Sequence, residues 1–156
     1  MPNAGRYSSD IGNMRLCICG FAIASLLMAA GKPDFSGEWK IDPKASKTAP
    51  FPPPQTQTLS VVHRDPELSV EQRTATGLPR VYKYKTNGER TENISPHDVK
   101  LASEANWSEE ELSIRTGMTS GGLSAAMEER WSLSKDGKTL TVIRAGKMVY
   151  VYRKQP

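Results

Sequence analysis

Glu129-Arg130-Trp131-Ser132-Leu133-Ser134-Lys135-Asp136-Gly137-Lys138-Thr139-Leu140-Thr141-Val142-Ile143-Arg144 is the stretch on which the fold turns. Asp-Gly is a strong two-residue turn signal, because both positions tolerate the backbone of a tight hairpin turn. In an antiparallel pair, residues directly opposite each other share one face of the sheet. A hairpin centred on Asp136-Gly137 sets Leu133 against Leu140, Trp131 against Val142 and Glu129 against Arg144. Apolar residues meet apolar ones, and a carboxylate meets a guanidinium.

The same test applies outward along the chain. Asn87-Gly88 is the second strong turn and pairs Tyr84 with Thr91, Lys83 with Glu92, Tyr82 with Asn93 and Val81 with Ile94. A turn at Glu109-Glu110 pairs Trp107 with Leu112 and Ala105 with Ile114. A loop from Arg64 to Glu67 pairs His63 with Leu68 and Val61 with Val70, and a turn at Gly146-Lys147 pairs Val142 with Val151 and Arg144 with Val149. Agreement along the whole chain predicts a meander of consecutive hairpins, with strands at roughly 35–41, 56–63, 68–75, 80–86, 89–94, 99–107, 111–117, 126–133, 138–145 and 148–154. An open meander of about eight to ten strands leaves exposed edges; closing it into a barrel removes them. The reading is therefore an all-β, antiparallel up-and-down barrel. Pro43 to Pro54, with Pro52-Pro53-Pro54 at its end, excludes helix and central strand and reads as an extended connection. Gly117 to Gly122 reads as a loop between strands, without the Lys-Ser/Thr and helix of a phosphate loop.

Before the strands comes a different text. Arg15 is followed by an apolar and small-residue run from Leu16 to Ala30. That run is shorter than the ~20 residues of a spanning helix and follows a basic residue, the pattern of a secretory signal peptide. Cleavage is expected near Ala30/Gly31, giving a leader over 1–31 and a barrel domain over 32–156, located in the periplasm or secreted. The polar residues ahead of Met14 make an over-long leader, and Met14 is the more typical start. Cys17 and Cys19 both lie in the leader, so residues 32–156 can form neither a disulfide nor a thiolate metal site.

The composition narrows the function further. The chain has 156 residues, a net charge of +4, 37% hydrophobic and 24% charged residues. It is too apolar for a disordered chain and too polar for a multi-span membrane protein. No cofactor fingerprint, catalytic triad pattern or convergent metal-ligand spacing is present, and no cofactor or metal is expected. His63 falls on the Leu59/Val61 face near a turn. His97 and Asp98 are neighbours and point oppositely on extended chain. The basic residues around Tyr82 and Tyr84 face Glu89 and Glu92, so nucleic acid is not an expected partner. The informative pair is Glu129 with Arg144, on the face of Trp131: either an internal structural ion pair or the polar end of a ligand cavity. Tyr82-x-Tyr84 and Tyr150-x-Tyr152 are period-two aromatic stripes, read as core or cross-strand packing or as ligand contact.

Phe35-Ser36-Gly37-Glu38-Trp39-Lys40 resembles the Gly-x-Trp entry strand of the calycins, the lipocalin and fatty-acid-binding-protein group. It is similar, too, to the Phe-Ser-Gly-x-Trp-Lys start of small secreted bacterial proteins of unassigned function, which also carry the Trp-x-Leu-x-x-Asp-Gly-Lys-x-Leu hairpin found here from Trp131 to Leu140. The resemblance implies that Trp39, with Gly37 before it, plugs one end of a lipocalin-like barrel. Tyr150 to Lys154 is similar to the last strand of fatty-acid-binding proteins, which implies a ligand contact for Arg153. The positions of those proteins' lid helices fall on Pro43 to Pro54, where prolines forbid helix, and no C-terminal helix follows as in lipocalins.

The expected function is non-catalytic binding of a small apolar or amphipathic ligand in the barrel, with Glu129, Arg144, Tyr82, Tyr84, Trp131 and Arg153 as candidate contacts. Such carriage requires a cavity of roughly 300 Å³ or more. The alternative is a structural or interaction module that binds an envelope protein and has a side-chain-filled interior.

Overall fold

Ten strands follow one another along the chain and pair, with one exception, with their sequence neighbours. The computed structural model describes residues 31–95 and 98–156. The predicted leader, its cleavage position and the Met14 start lie largely outside these residues, as does His97. The strands are β1 (Gly37–Ile41), β2 (Gln57–Arg64), β3 (Glu67–Thr74), β4 (Arg80–Lys85), β5 (Thr91–Ile94), β6 (Lys100–Ser108), β7 (Glu111–Ser120), β8 (Leu123–Leu133), β9 (Thr139–Arg144) and β10 (Met148–Lys154). Among the described residues there is no helix. The sheet order β4-β3-β2-β1-β10-β9-β8-β7-β6-β5 joins first strand to last. The sheet therefore curls into a nearly closed up-and-down barrel, interrupted only between β4 and β5.

Alternation marks the strands that build the core. In β2 the residues Gln57, Leu59, Val61 and His63 are buried, and the intervening ones are not. β-branched and aromatic residues fit a pleated surface of this kind, and period two aims one set inward. Three hairpins have the register the sequence predicts. Leu133 lies opposite Leu140 and Glu129 opposite Arg144; Trp107 lies opposite Leu112; His63 lies opposite Leu68. Strand boundaries agree within a few residues, apart from the Gly117–Gly122 loop. There β7 runs on to Ser120 and only Gly121 and Gly122 turn, both at positive φ.

Two hairpins differ. At the end of β9, Arg144 pairs with Met148 and Val142 with Tyr150, one residue off the predicted register. The loop holds three residues, Ala145 to Lys147, with Ala145 and Gly146 both in the left-handed region. The single extra residue turns Tyr150 and Tyr152 inward and Val149 and Val151 outward. Tyr152 is then buried in the core, which removes more surface from water than a valine would.

The Asn87-Gly88 hairpin does not form a ladder. Thr86 donates its amide to the Pro66 carbonyl (2.8 Å), which holds the end of β4 against the β2–β3 turn. Gly88 (φ +85°) donates to Ala105 of β6 (2.8 Å) instead of closing onto β4. Between β4 and β5, the Asn93 side chain stands where a backbone partner would. Its Oδ1 accepts from the Lys83 amide (2.7 Å) and its Nδ2 donates to the Lys83 carbonyl (2.9 Å).

The proline-rich connection forms neither helix nor central strand, as predicted, but it turns twice rather than running extended, with the Ser46 amide donating to the Asp42 carbonyl (3.1 Å) and that of Phe51 to the Thr48 carbonyl (3.0 Å). Lys47 bridges to Val149 through two backbone hydrogen bonds, prolonging the sheet beside β10 past the end of β1. No segment of the described residues lies over the barrel as a helical lid.

Candidate functional site

One end of the barrel is solid. Phe35 is fully buried and packs on His63 (ring centroids 5.6 Å), Trp107 (5.7 Å) and, edge-on, Trp131 (5.8 Å). Trp39 is also fully buried and donates Nε1–H to the Phe35 carbonyl (2.9 Å). Trp39 thus fixes the segment that carries the plug, and Phe35 fills its centre. Gly37 (φ +135°) leaves room for Lys154, whose Nζ lies 5.3 Å from the Trp39 ring centroid. Asp65 ties this end together. It accepts from Lys32 (3.0 Å), from Trp107 Nε1 (3.1 Å) and from the Thr86 hydroxyl. The Thr86 bond, with that of Lys32, holds its carboxyl down at about 2.

Behind Trp131 the barrel is hollow. A cavity of about 260 Å³ opens between β2–β4 on one side and β6–β10 on the other. This falls below the ~300 Å³ that carriage was expected to require, the low end of ligand pockets, so any occupant must be smaller than the usual pocket ligand. Glu129 stands buried at its wall, and each of its carboxylate oxygens has a partner. Oε1 accepts from Arg144 Nε (2.7 Å) and lies 2.6 Å from Arg144 Nη2. Oε2 accepts from Trp131 Nε1 (3.1 Å). The Arg144 guanidinium also lies over the Tyr150 ring, 5.0 Å from its centroid. Burial opposes the charge of Arg144, but Glu129 beside it outweighs that, and its pKa is raised.

Tyr84 and Tyr152 reach the same cavity. Burial, and after it the charge of Glu129, pushes the Tyr84 phenol far up. Burial does the same for Tyr152, partly offset by Arg144. Both are neutral donors. Polar side chains complete the wall: Gln57, Gln72, Ser103 and Thr116, the last two hydrogen-bonded to each other (2.9 Å). The lining is more polar than the apolar face predicted from the strand pattern.

Of the six candidate contacts, the structure brings five to this cavity: Glu129, Arg144, Trp131, Tyr82 and Tyr84. Arg153 does not reach it. The one-residue shift in the β9–β10 hairpin sends Arg153 to the outer face, where it is bound by Asp42 (3.1 Å) and Thr139 (2.8 Å). Tyr152, whose stripe with Tyr150 was read as packing or ligand contact without being made a candidate, lines the cavity, and the two glutamines were missed by sequence reasoning. Tyr152 depends on that register; Gln57 and Gln72 sit on the inward parity of β2 and β3, a signal available from Leu59 and Val70.

A wider, more open hollow of about 600 Å³ lies across β5–β8 around Ala102, Gly117 and Ala126. These three are register partners of opposite parity to Ser103, Thr116 and Met127, which face the cavity. It is a depression of the outer surface formed where small residues thin the wall. Among the described residues no cluster of three or more His, Cys, Asp or Glu is placed to hold a metal.

Ten antiparallel strands, joined first to last in a nearly closed sheet around a cavity, define a calycin-like barrel. Solved structures agree. The chain is similar to the fluorescent protein UnaG, wild type, at 21% identity with TM-score 0.52, covering 78% of this chain and 97% of that one. A point mutant of UnaG gives the same identity and score, with 96% of that chain covered. A fatty acid transporter, REP1-NXSQ, matches at 10% identity and TM-score 0.53, covering 79% of this chain and 97% of that one. No family model matches the chain, and no curated protein does. At these identities the likeness is one of fold.

Proposed function

We propose that this protein is a non-catalytic carrier that holds a small apolar or amphipathic molecule inside its barrel, after export to the periplasm or beyond the cell. The observation that carries the reading is the ~260 Å³ cavity beside the Glu129–Arg144 pair. A barrel with one end packed by aromatic rings and the other hollow has the concave, enclosed shape of ligand sites, with a few polar groups to orient what enters. A similar fold serves the fatty acid transporter named above. The basic residue and short apolar run from Arg15 to Ala30 support export.

Native mass spectrometry of the full chain expressed in a bacterium with an export system tests both parts. The expected species begins near Gly31 or Lys32 and carries a non-covalent small-molecule adduct. A chain that keeps its N-terminus overturns export. A protein without an adduct, which also retains none from a periplasmic extract, overturns carriage.

The second reading, an interaction module of the cell envelope, draws on the β7–β8 hairpin. Its strands extend past their neighbours, and Met118 and Leu123 there are exposed. It predicts a side-chain-filled interior and an exposed apolar patch that binds a partner; the exposed residues favour it and the cavity of about 260 Å³ counts against it.

A further inference from the structure

We infer that the cavity selects an uncharged, ring-sized molecule bearing carbonyl or hydroxyl oxygens, a neutral oxygenated aromatic, and discriminates against carboxylates. This rests on the reading that the barrel interior is the binding site.

Charge is the first argument. Arg144 is the cation of the cavity wall, and it is already matched: two of its nitrogens hold one oxygen of Glu129. The other Glu129 oxygen is occupied by Trp131. The pair is neutral as a unit. An incoming carboxylate would place a second anion beside Glu129 without a second cation, in a medium where charges are weakly screened.

The second argument is what remains uncommitted. Gln57 is 5% exposed and Tyr152 3%, yet neither side chain has a hydrogen bond among the described residues, and both border the cavity. Tyr84 likewise has no partner for its hydroxyl among them. Their polar atoms are not sealed off: among the described residues the buried side-chain polar atom without a partner is His63 Nε2, so these three are open to an occupant of the cavity. These three present phenolic donors and an amide that both donates and accepts, all uncharged because the phenols stay protonated. Their complement is a molecule with several neutral oxygens. Rings line the same space at Tyr82, Tyr84, Trp131 and Tyr152, and they favour a flat apolar body between them.

Size is the third. A volume near 260 Å³ is of the order of a small fused-ring compound and leaves no room to bury a long-chain fatty acid whole.

Calorimetric titration of the purified protein with coumarin, coumarin-3-carboxylate and oleate tests the inference. Coumarin is expected to bind about tenfold more tightly than its carboxylate, with oleate weaker still. Tyr152→Phe keeps the ring and removes the hydroxyl, and should weaken coumarin about fivefold while leaving the fold intact. Glu129→Gln frees Arg144 and should reverse the preference, so that the carboxylate binds more tightly than coumarin. Equal or tighter binding of coumarin-3-carboxylate or oleate by the unaltered protein overturns this inference and leaves carriage standing. An unchanged coumarin affinity in Tyr152→Phe overturns it as well. If none of the three compounds binds and the protein carries no native adduct, carriage itself falls and the inference with it.

Discussion

His63 is buried against Phe35 and Trp107, and its Nε2 has no hydrogen-bond partner. Nδ1 accepts from the Phe35 amide (3.4 Å), which requires the neutral ring. Burial lowers its pKa; Asp34 and Asp65 oppose this, and Lys32 reinforces it. The unfolded chain, with the ordinary value near 6.5, therefore binds a proton more readily than the native protein. Stability contributed by His63 is complete above about pH 6.5 and is lost as pH falls below it. Urea midpoints measured from about pH 7.5 down to 5 should decline, and His63→Phe should flatten that decline. Equal slopes in the two proteins would show that His63 is not the titrating group. Trp39 is the other decisive residue at this end. Trp39→Ala removes a fully buried indole and releases the Phe35 carbonyl it holds. The expected loss is about 3–5 kcal/mol, read as a lower denaturant midpoint with an unchanged slope.

At the scale of strands, β4 and β5 meet through the Asn93 side chain rather than through a backbone ladder. Asn93→Ala should leave the Lys83 amide and carbonyl without partners, at a cost of about 1–3 kcal/mol. Hydrogen exchange should then speed up at Lys83 before it does so at β2 or β9; uniform protection would refute that role for Asn93. Hairpins were legible where apolar residues flank a short turn on both sides, and not at Gly121-Gly122, where the flanking residues are mostly small or polar. Asp136-Gly137 set the register of β8 and β9, and with it the meeting of Glu129 and Arg144. Legibility failed where contacts remote in sequence intervened. Nothing near Asn87-Gly88 announces that Thr86 is held by Pro66 and that Gly88 turns to Ala105. At Gly146 the two- and three-residue loops fit the local pattern equally well, since either valines or tyrosines could face inward. The burial of Tyr152 decides it, and that depends on the whole barrel. The same one-residue difference separates a cavity lined by Tyr152 from one reached by Arg153.

For the molecule as a whole, a ligand that binds only the native barrel must raise its stability as its concentration exceeds the dissociation constant, by about 2.7 kcal/mol at a hundredfold excess. Coumarin should therefore shift the thermal midpoint upward in a dose-dependent way, and the shift should shrink in Tyr152→Phe. No shift at saturating dose would place any binding off the native barrel. The architecture was readable at this scale because the core-forming stretches, such as β2, the start of β7 and the end of β8, alternate, and curling a ten-strand meander hides most of its edges. The polarity of the interior was not. Gln57, Gln72, Ser103 and Thr116 occupy inward positions that the apolar pattern of their neighbours disguises.

The aromatic plug and the hollow behind it give the two ends unequal resistance to opening. Around Phe35 the rings pack on one another; near Gln57 and Tyr152 the barrel wall surrounds a cavity of about 260 Å³. Breathing motions should be concentrated at the cavity end, where side chains pack on one another less, while the ringed end persists as the last unit to dissolve. A guest would then act as a missing piece of the core, stiffening the slack half so that both halves come apart in one step.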